Sequence, residues 1–115
     1  MKIARFYNAT RNVVLAEKVM VATNFMERLR GLIARKEPGQ DQGMYIEPCS
    51  AIHTFFMSYP IDCAFLDKSG RILATRRHLA PWRLAGPVPG AKGVLEVAAD
   101  KLEDTRTQIG DIITF

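Results

Sequence analysis

The run Cys49-Ser50-Ala51-Ile52-His53-Thr54-Phe55-Phe56-Met57-Ser58-Tyr59-Pro60-Ile61-Asp62-Cys63 gathers the residue types that could do chemistry. Histidine titrates near neutral pH, so His53 is a candidate acid, base or ligand contact. The plain alternative is a structural histidine holding a neighbouring carbonyl. Asp62 shares an apolar stripe with Ala64 and Leu66. A carboxylate there needs backbone N–H groups, an arginine or His53 as partner, because an unpaired buried charge is costly. Its plain alternative is a buried carboxylate organising a loop. In a strand from Ile52, His53 faces the same way as Phe55 and Met57. If 52–57 and 61–66 pair as a simple hairpin, His53 and Asp62 fall on opposite faces, whereas a bulge or one-residue shift brings them together. The Tyr59-Pro60 turn does not fix that register.

Other chemistries have weaker signatures. Ser50, His53 and Asp62 could be drawn as a nucleophile triad, but no nucleophile elbow accompanies them. Cys49 beside His53 is an equally thin thiol nucleophile. Cys49, His53, Cys63 and His78 are zinc-ligand types without Cys-x2-Cys or His-x3-His spacing, so no metal is expected. No glycine-rich phosphate cradle is present, and no cofactor is expected. Pro81-Trp82-Arg83 is more suggestive, since an indole can stack on a planar group while a guanidinium pairs with its charge. The plain alternative is a loop anchored in the core by Trp82.

The elements that must position these residues are mostly strands. Residues 2–6 and 13–21 are β-prone around the polar turn 8–12, which predicts a hairpin, with Glu17-Lys18 interrupting its second arm as a bulge or a turn to the surface. Phe25, Leu29, Leu32 and Ile33 lie on one helical face, and Asn24 with Glu27 resembles a capping box, so a helix is expected over roughly 24–35. Strands are expected at 44–46, 52–57 and 61–66. Asp67-Lys68-Ser69-Gly70 then closes the clearest hairpin, onto 71–75. Residues 78–92 read as a long irregular excursion, of the kind that carries function or motion. A strand at 94–98, a helical turn within 100–108 and a last strand at 112–115 complete the chain. The expectation is a β-dominated α+β fold: a small, partly closed β-barrel of about seven strands with one packed helix.

The bulk numbers bound the rest. A chain of 115 residues holds one core, so 1–115 is read as a single domain. It is 48% apolar and 24% charged, which excludes a disordered chain. Two cysteines are too few for a disulfide framework and read as buried thiols in a reducing compartment. The N-terminus lacks a signal-peptide core and no apolar run reaches membrane-spanning length, so a cytoplasmic chain is expected. The net charge is +4, distributed as +5 over 1–37, −3 over 38–66, +4 over 67–101 and −2 over 102–115. The two basic segments either solvate outer faces or converge on an anionic ligand. The charge is modest and no aromatic RNA-binding motif is visible, so nucleic acid is not the expected partner.

Ile52-His53-Thr54-Phe55-Phe56-Met57, followed by Ile61-Asp62 and Phe65-Leu66-Asp67, resembles the signature of the DUF192 (UPF0127) family, expected here as a bacterial-type family. Gly31-Leu32-Ile33-Ala34-Arg35, Gly43-Met44, Pro81-Trp82-Arg83, Val94-Leu95-Glu96-Val97 and Gly110-Asp111 match its flanking elements, so the resemblance runs from about residue 20 to the end. Asp100 stands where the family has glycine, which predicts an altered turn. The resemblance implies a small β-rich domain with one helix and transfers no activity or cofactor. It points to Arg35, His53, Asp62, Arg83 and Glu96 as the positions to inspect. The expected function is binding of a small ligand, anionic or not, between the 49–66 strands and the 78–92 loop, through Arg35, His53, Asp62, Trp82 and Arg83. The alternatives are a protein-interaction or scaffold module, or an enzyme using His53 and Asp62. Oligomeric state is left open.

Overall fold

The computed structural model describes residues 2–24, 26–27 and 36–115. Two tight turns start the sheet. β1 (Lys2–Asn8) reverses into β2 (Val13–Ala22), and the Asn8 Oδ1 accepts the Arg11 N–H at 3.0 Å to hold the turn. Ala4 pairs with Val19 but Phe6 pairs with Ala16, so β2 has one residue more than β1 between these pairs. The extra residue falls at Glu17-Lys18, both exposed, which is the expected bulge. β5 (Ile61–Leu66) turns into β6 (Ile72–Leu79) through the expected Asp67–Gly70 loop. The Asp67 Oδ1 accepts from the Ser69 hydroxyl (2.7 Å) and from the Ser69 and Arg71 N–H groups, and these bonds hold its carboxyl below the usual range. Gly70 is left-handed (φ 87°), and a Cβ there would sit 2.3 Å from the Ile113 carbonyl oxygen.

With β3 (Gln42–Ile46), β8 (Gly93–Ala98) and β9 (Ile113–Thr114), these strands form a seven-stranded sheet in the order β6-β5-β8-β3-β2-β1-β9. Its pairings are antiparallel except β2 with β3. Its two edges meet at one corner, where the Ile72 N–H donates to Asp111 O (2.9 Å), the Gly110 N–H to Ile72 O (2.9 Å) and the Ile113 N–H to Gly70 O (2.8 Å). The sheet is thereby curled into a half-barrel, as expected, with the short helix α1 (Lys101–Asp104) following β8.

Apolar residues pack on both faces of this sheet. Inside the curl lie Phe6, Leu15, Val19, Tyr45, Ala64, Leu66, Leu95, Val97 and, from α1, Leu102. On the outer face Ile61, Cys63, Phe65 and Val94 are covered by a second layer. That layer is a two-stranded sheet of β4 (Ile52–His53) and β7 (Leu84–Ala85). β5 and β8 are therefore buried on both faces, which is why IDCAFL and GVLEVA show no clean alternation of polar and apolar residues.

Three expectations are corrected or bounded. The strand expected over 52–57 stops at His53 and pairs with β7, not with β5, because the backbone groups of Thr54 are taken by residues 57, 82 and 83. The 78–92 excursion is shorter than expected, since β6 runs through Leu79 and β7 lies within the segment. The helix expected over 24–35 lies outside the described residues apart from its start. There Met26 and Glu27 are helical, the Glu27 N–H donates to Asn24 Oδ1 (2.9 Å), and the Glu27 Oε1 accepts the Thr23 N–H (3.0 Å). This is the expected capping pair, reaching back one residue further than the standard box.

Candidate functional site

Thr54 is fully buried and joins two loops. Its N–H donates to Arg83 O (2.8 Å) and its carbonyl accepts the N–H groups of Trp82 (3.0 Å) and Met57 (3.2 Å). Its hydroxyl donates to Ala80 O (2.6 Å) and accepts the Arg83 N–H (2.9 Å). The turn after β4 and the Pro81-Trp82-Arg83 loop are thus fixed against each other. Gly86 holds the far end of the layer together: it is left-handed (φ 93°), and a Cβ would lie 2.5 Å from Ser50 O.

Strand alternation then decides what points outward. Ile52 and its partner Ala85 are buried against the outer core, so His53 and its partner Leu84 face away from it. Beyond them the backbone turns left-handed at Phe56 (φ 68°) and again at Trp82 (φ 63°). For bulky residues that conformation is a genuine outlier and stores about 1–3 kcal/mol of strain. Both rings nevertheless stand in solvent, Phe56 at 85% exposure and Trp82 at 56%, with Leu84 at 70% beside them. The rings touch in series: His53 stacks on Phe55 (4.8 Å), Phe55 lies near-parallel to Trp82 (5.9 Å, 27°), and Phe56 meets Trp82 tilted at 4.8 Å. A continuous aromatic ridge results. The Phe55 N–H donates to His53 Nδ1 (3.3 Å), which assigns the neutral ring's proton to Nε2. Arg83 is exposed at the ridge's edge, with one Nη1 contact to Trp82 O at 3.4 Å.

The other anticipated residues go elsewhere. Asp62 is fully buried, and its Oδ1 accepts the His78 N–H (2.9 Å) while its Oδ2 accepts the Leu102 N–H (3.0 Å). It shares the inner face with Ala64 and Leu66, whereas β4 packs on the outer face. His53 and Asp62 are therefore on opposite sides of the sheet, and Asp62 has no oxygen directed at His53. Glu96 is buried on the outer face, across from Cys63 and Met44. Arg35 lies outside the described residues. Neither cysteine is bridged. Burial, and next to it the Glu96 carboxylate, pushes the Cys63 thiol up to about 12, which removes it as a thiolate nucleophile. Cys49 Sγ donates to Ala51 O at 3.0 Å. Among the described residues no three His, Cys, Asp or Glu side chains are grouped to hold a metal, and no helix is long and apolar enough to cross a membrane.

Phe55, Phe56, Leu84 and the brace Thr54 were not singled out by sequence. The signal present was the adjacent Phe55-Phe56 pair, since a half-buried strand would put one of the two rings in solvent. Asp100, at the position where a glycine was expected, is left-handed (φ 77°), and its carboxylate bonds the His78 ring. The turn thus keeps a backbone conformation that glycine would take without strain, and adds an ion-pair partner.

The DUF192 family profile, described as "Uncharacterized ACR", matches residues 7–115, so the likeness reaches further toward the N-terminus than the motifs did. A UPF0127 protein of Thermococcus sibiricus is 33% identical over 94% of this chain and 72% of its own length. One of Pyrococcus abyssi is 32% identical over 94% of both chains. These relatives are archaeal, which does not bear out a bacterial-type family. The crystal structure of a protein of unknown function from Novosphingobium aromaticivorans superposes with a TM-score of 0.83 at 19% identity, over 98% of this chain and 85% of that one. A second crystal structure, of a protein described as a transcription regulator from Sinorhizobium meliloti 1021, gives 0.79 at 20% identity over 96% of this chain and 89% of that one. These two share the half-barrel fold. With the profile spanning both sheets and the ridge, and with relatives above 30% identity along nearly the whole length, the chain belongs to the DUF192 (UPF0127) family.

Proposed function

We propose that the protein is a binding domain whose site is the aromatic ridge between the β4 turn and the Pro81–Leu84 loop, and that it takes a flat, anionic small molecule. The observation that carries this reading is the pair Phe56 and Trp82, two exposed aromatic residues held left-handed by a buried hydrogen-bond brace. Strain of this kind concentrates at functional sites, and burial of these rings does not account for it. In this reading Trp82 and Phe55 supply the stacking faces, the tilted Phe56 ring closes on the ligand's edge, the Arg83 guanidinium pairs with the anion, and the His53 Nε2–H donates a hydrogen bond. Asp62 acts at a distance, by fixing β5 beneath the layer.

Trp82 is the chain's one tryptophan, so a single indole N–H resonance reports the site. Titration with naphthalene-2-carboxylate is expected to shift that resonance saturably, and the puckered cyclohexanecarboxylate is expected to do so at least about tenfold more weakly, because stacking needs a flat partner. Arg83→Ala should weaken the naphthalene compound by a similar factor and remove its salt dependence. Equal binding of the two acids, or a response unchanged in Arg83→Ala, would overturn the reading.

A second reading has its own support. Leu84 and Phe56 extend the apolar surface beyond the reach of one small ring system, as in a protein-contact surface. A concentration-dependent mass in light scattering that Leu84→Asp abolishes would favour it.

A further inference from the structure

The outer face of the sheet carries a row that the ridge does not use. Ile3, Met20, Met44, Glu96 and Cys63 are successive cross-strand partners across β1, β2, β3, β8 and β5. The row runs from exposed Ile3 and Met20 to fully buried Cys63. Met57, Tyr59 and Lys36 to Pro38 join most of this row in lining a partly open cavity of about 350 Å³. That is near the small end of ligand-site volumes.

We infer that this cavity binds a medium-chain aliphatic carboxylate, with its tail among Met20, Met44 and Met57 and its head at Lys18 and Lys36. Volume sets the size: at ~30 Å³ for each water-sized group, the space takes roughly ten to twelve non-hydrogen atoms. Shape sets the tail: three unbranched thioether side chains adapt to a flexible chain and offer no strong hydrogen bond. Charge sets the head and its direction. Lys18 and Lys36 are both exposed, both line the cavity, and neither has an ion-pair partner among the described residues. Lys18 pairs with Gln42, one same-face step along β2 and β3 from the Met20–Met44 pair. Glu96, cross-strand neighbour of Met44, is buried and engaged within the fold, and a carboxylate there offers an anionic head no positive charge. Glu37, also in the lining, offsets part of the lysine charge.

The site shares no lining side chain with the ridge, although Met57 also bonds the Thr54 carbonyl, and calorimetric titration with three eight-carbon probes tests it. Octanoate is expected to bind one-to-one, more tightly than 1-octanol or octylamine, without moving the Trp82 indole resonance. Lys18→Glu with Lys36→Glu should weaken octanoate at least about tenfold, as the loss of two charge-assisted contacts implies, and leave octanol unchanged. Met20→Trp, at a partly exposed position, should block both by filling the cavity. Melting curves check that these variants fold, and Lys18→Ala with Lys36→Ala replaces the charge reversal if it does not. No saturable octanoate binding, octylamine binding as tightly as octanoate, or octanoate binding unchanged by both sets of variants would overturn the inference.

Discussion

Thr54 and Asp62 are both fully buried polar side chains, and both tie together segments distant in sequence. Each also has two non-glycine residues in left-handed conformation nearby: Phe56 and Trp82 beside Thr54, His78 beside Asp62 with Asp100 bonded to it. What is done with that conformation differs. At the Asp62 corner the residue types are among those that tolerate it, the His78 and Asp100 side chains bond each other, and Leu102 is delivered into the inner core. That arrangement is complete within the fold. At the Thr54 ridge the residues are bulky aromatics, and the brace turns their rings out of the protein. In the proposed function, that arrangement is completed by the bound ligand. A buried polar group with all its partners reads as architecture, and strained, exposed apolar groups read as function.

The comparison breaks most readily at Asp62. Asp62→Ala removes the acceptor of two backbone N–H groups and is expected to cost about 2–4 kcal/mol in urea unfolding, since leaving each buried donor unsatisfied carries about 1–3 kcal/mol. The Trp82 indole resonance of the folded fraction should stay in place. A moved resonance with little loss of stability would show that the two regions are not separate.

Thr54→Val keeps the shape but strands the Ala80 carbonyl and the Arg83 N–H, with an expected loss of about 1–3 kcal/mol. Here the indole resonance should broaden or shift and naphthalene-2-carboxylate binding should weaken. A loss of stability with the ridge unchanged would deny Thr54 its bracing role.

The smallest effect is the pH dependence of the Asp62 corner. The Asp100 hydrogen bond, with that carboxylate's charge, raises the His78 pKa above its ordinary value. A histidine pKa raised on folding stabilises fully below the unfolded value of about 6.5 and loses that contribution as pH rises through the folded value. Stability should therefore fall slightly across that window, less so in high salt because the pair is exposed. Asp100→Asn should flatten the profile, which melting curves between pH 5 and 8.5 would follow.

Much of the half-barrel could be read in the sequence because its signals are local. The bulge at Glu17-Lys18, the Asp67–Gly70 turn and the Asn24–Glu27 cap each need only a few neighbouring residues. The β4–β7 pairing was not legible. Residues 52–57 have a strand's composition, and what ends that strand at His53 is hydrogen bonding to residues 82 and 83, about thirty positions away. The same tertiary override shapes the proposed site: His53, Trp82 and Arg83 were singled out by residue type, whereas Phe56 became conspicuous only once its backbone was seen to be left-handed. Asp62 showed the reverse, with a chemically promising residue type consumed by two backbone amides.

The central claim, that the ridge residues serve binding at the expense of stability, is tested most directly in Phe56→Gly. Glycine takes the left-handed backbone without strain, and the ring given up is 85% exposed. Urea unfolding and naphthalene-2-carboxylate titration of the same preparation should give a protein as stable as the parent or up to about 1 kcal/mol more stable, with binding weakened at least about tenfold. A variant destabilised by more than about 1 kcal/mol that still binds like the parent would contradict the account, because Phe56 would then be holding the fold together.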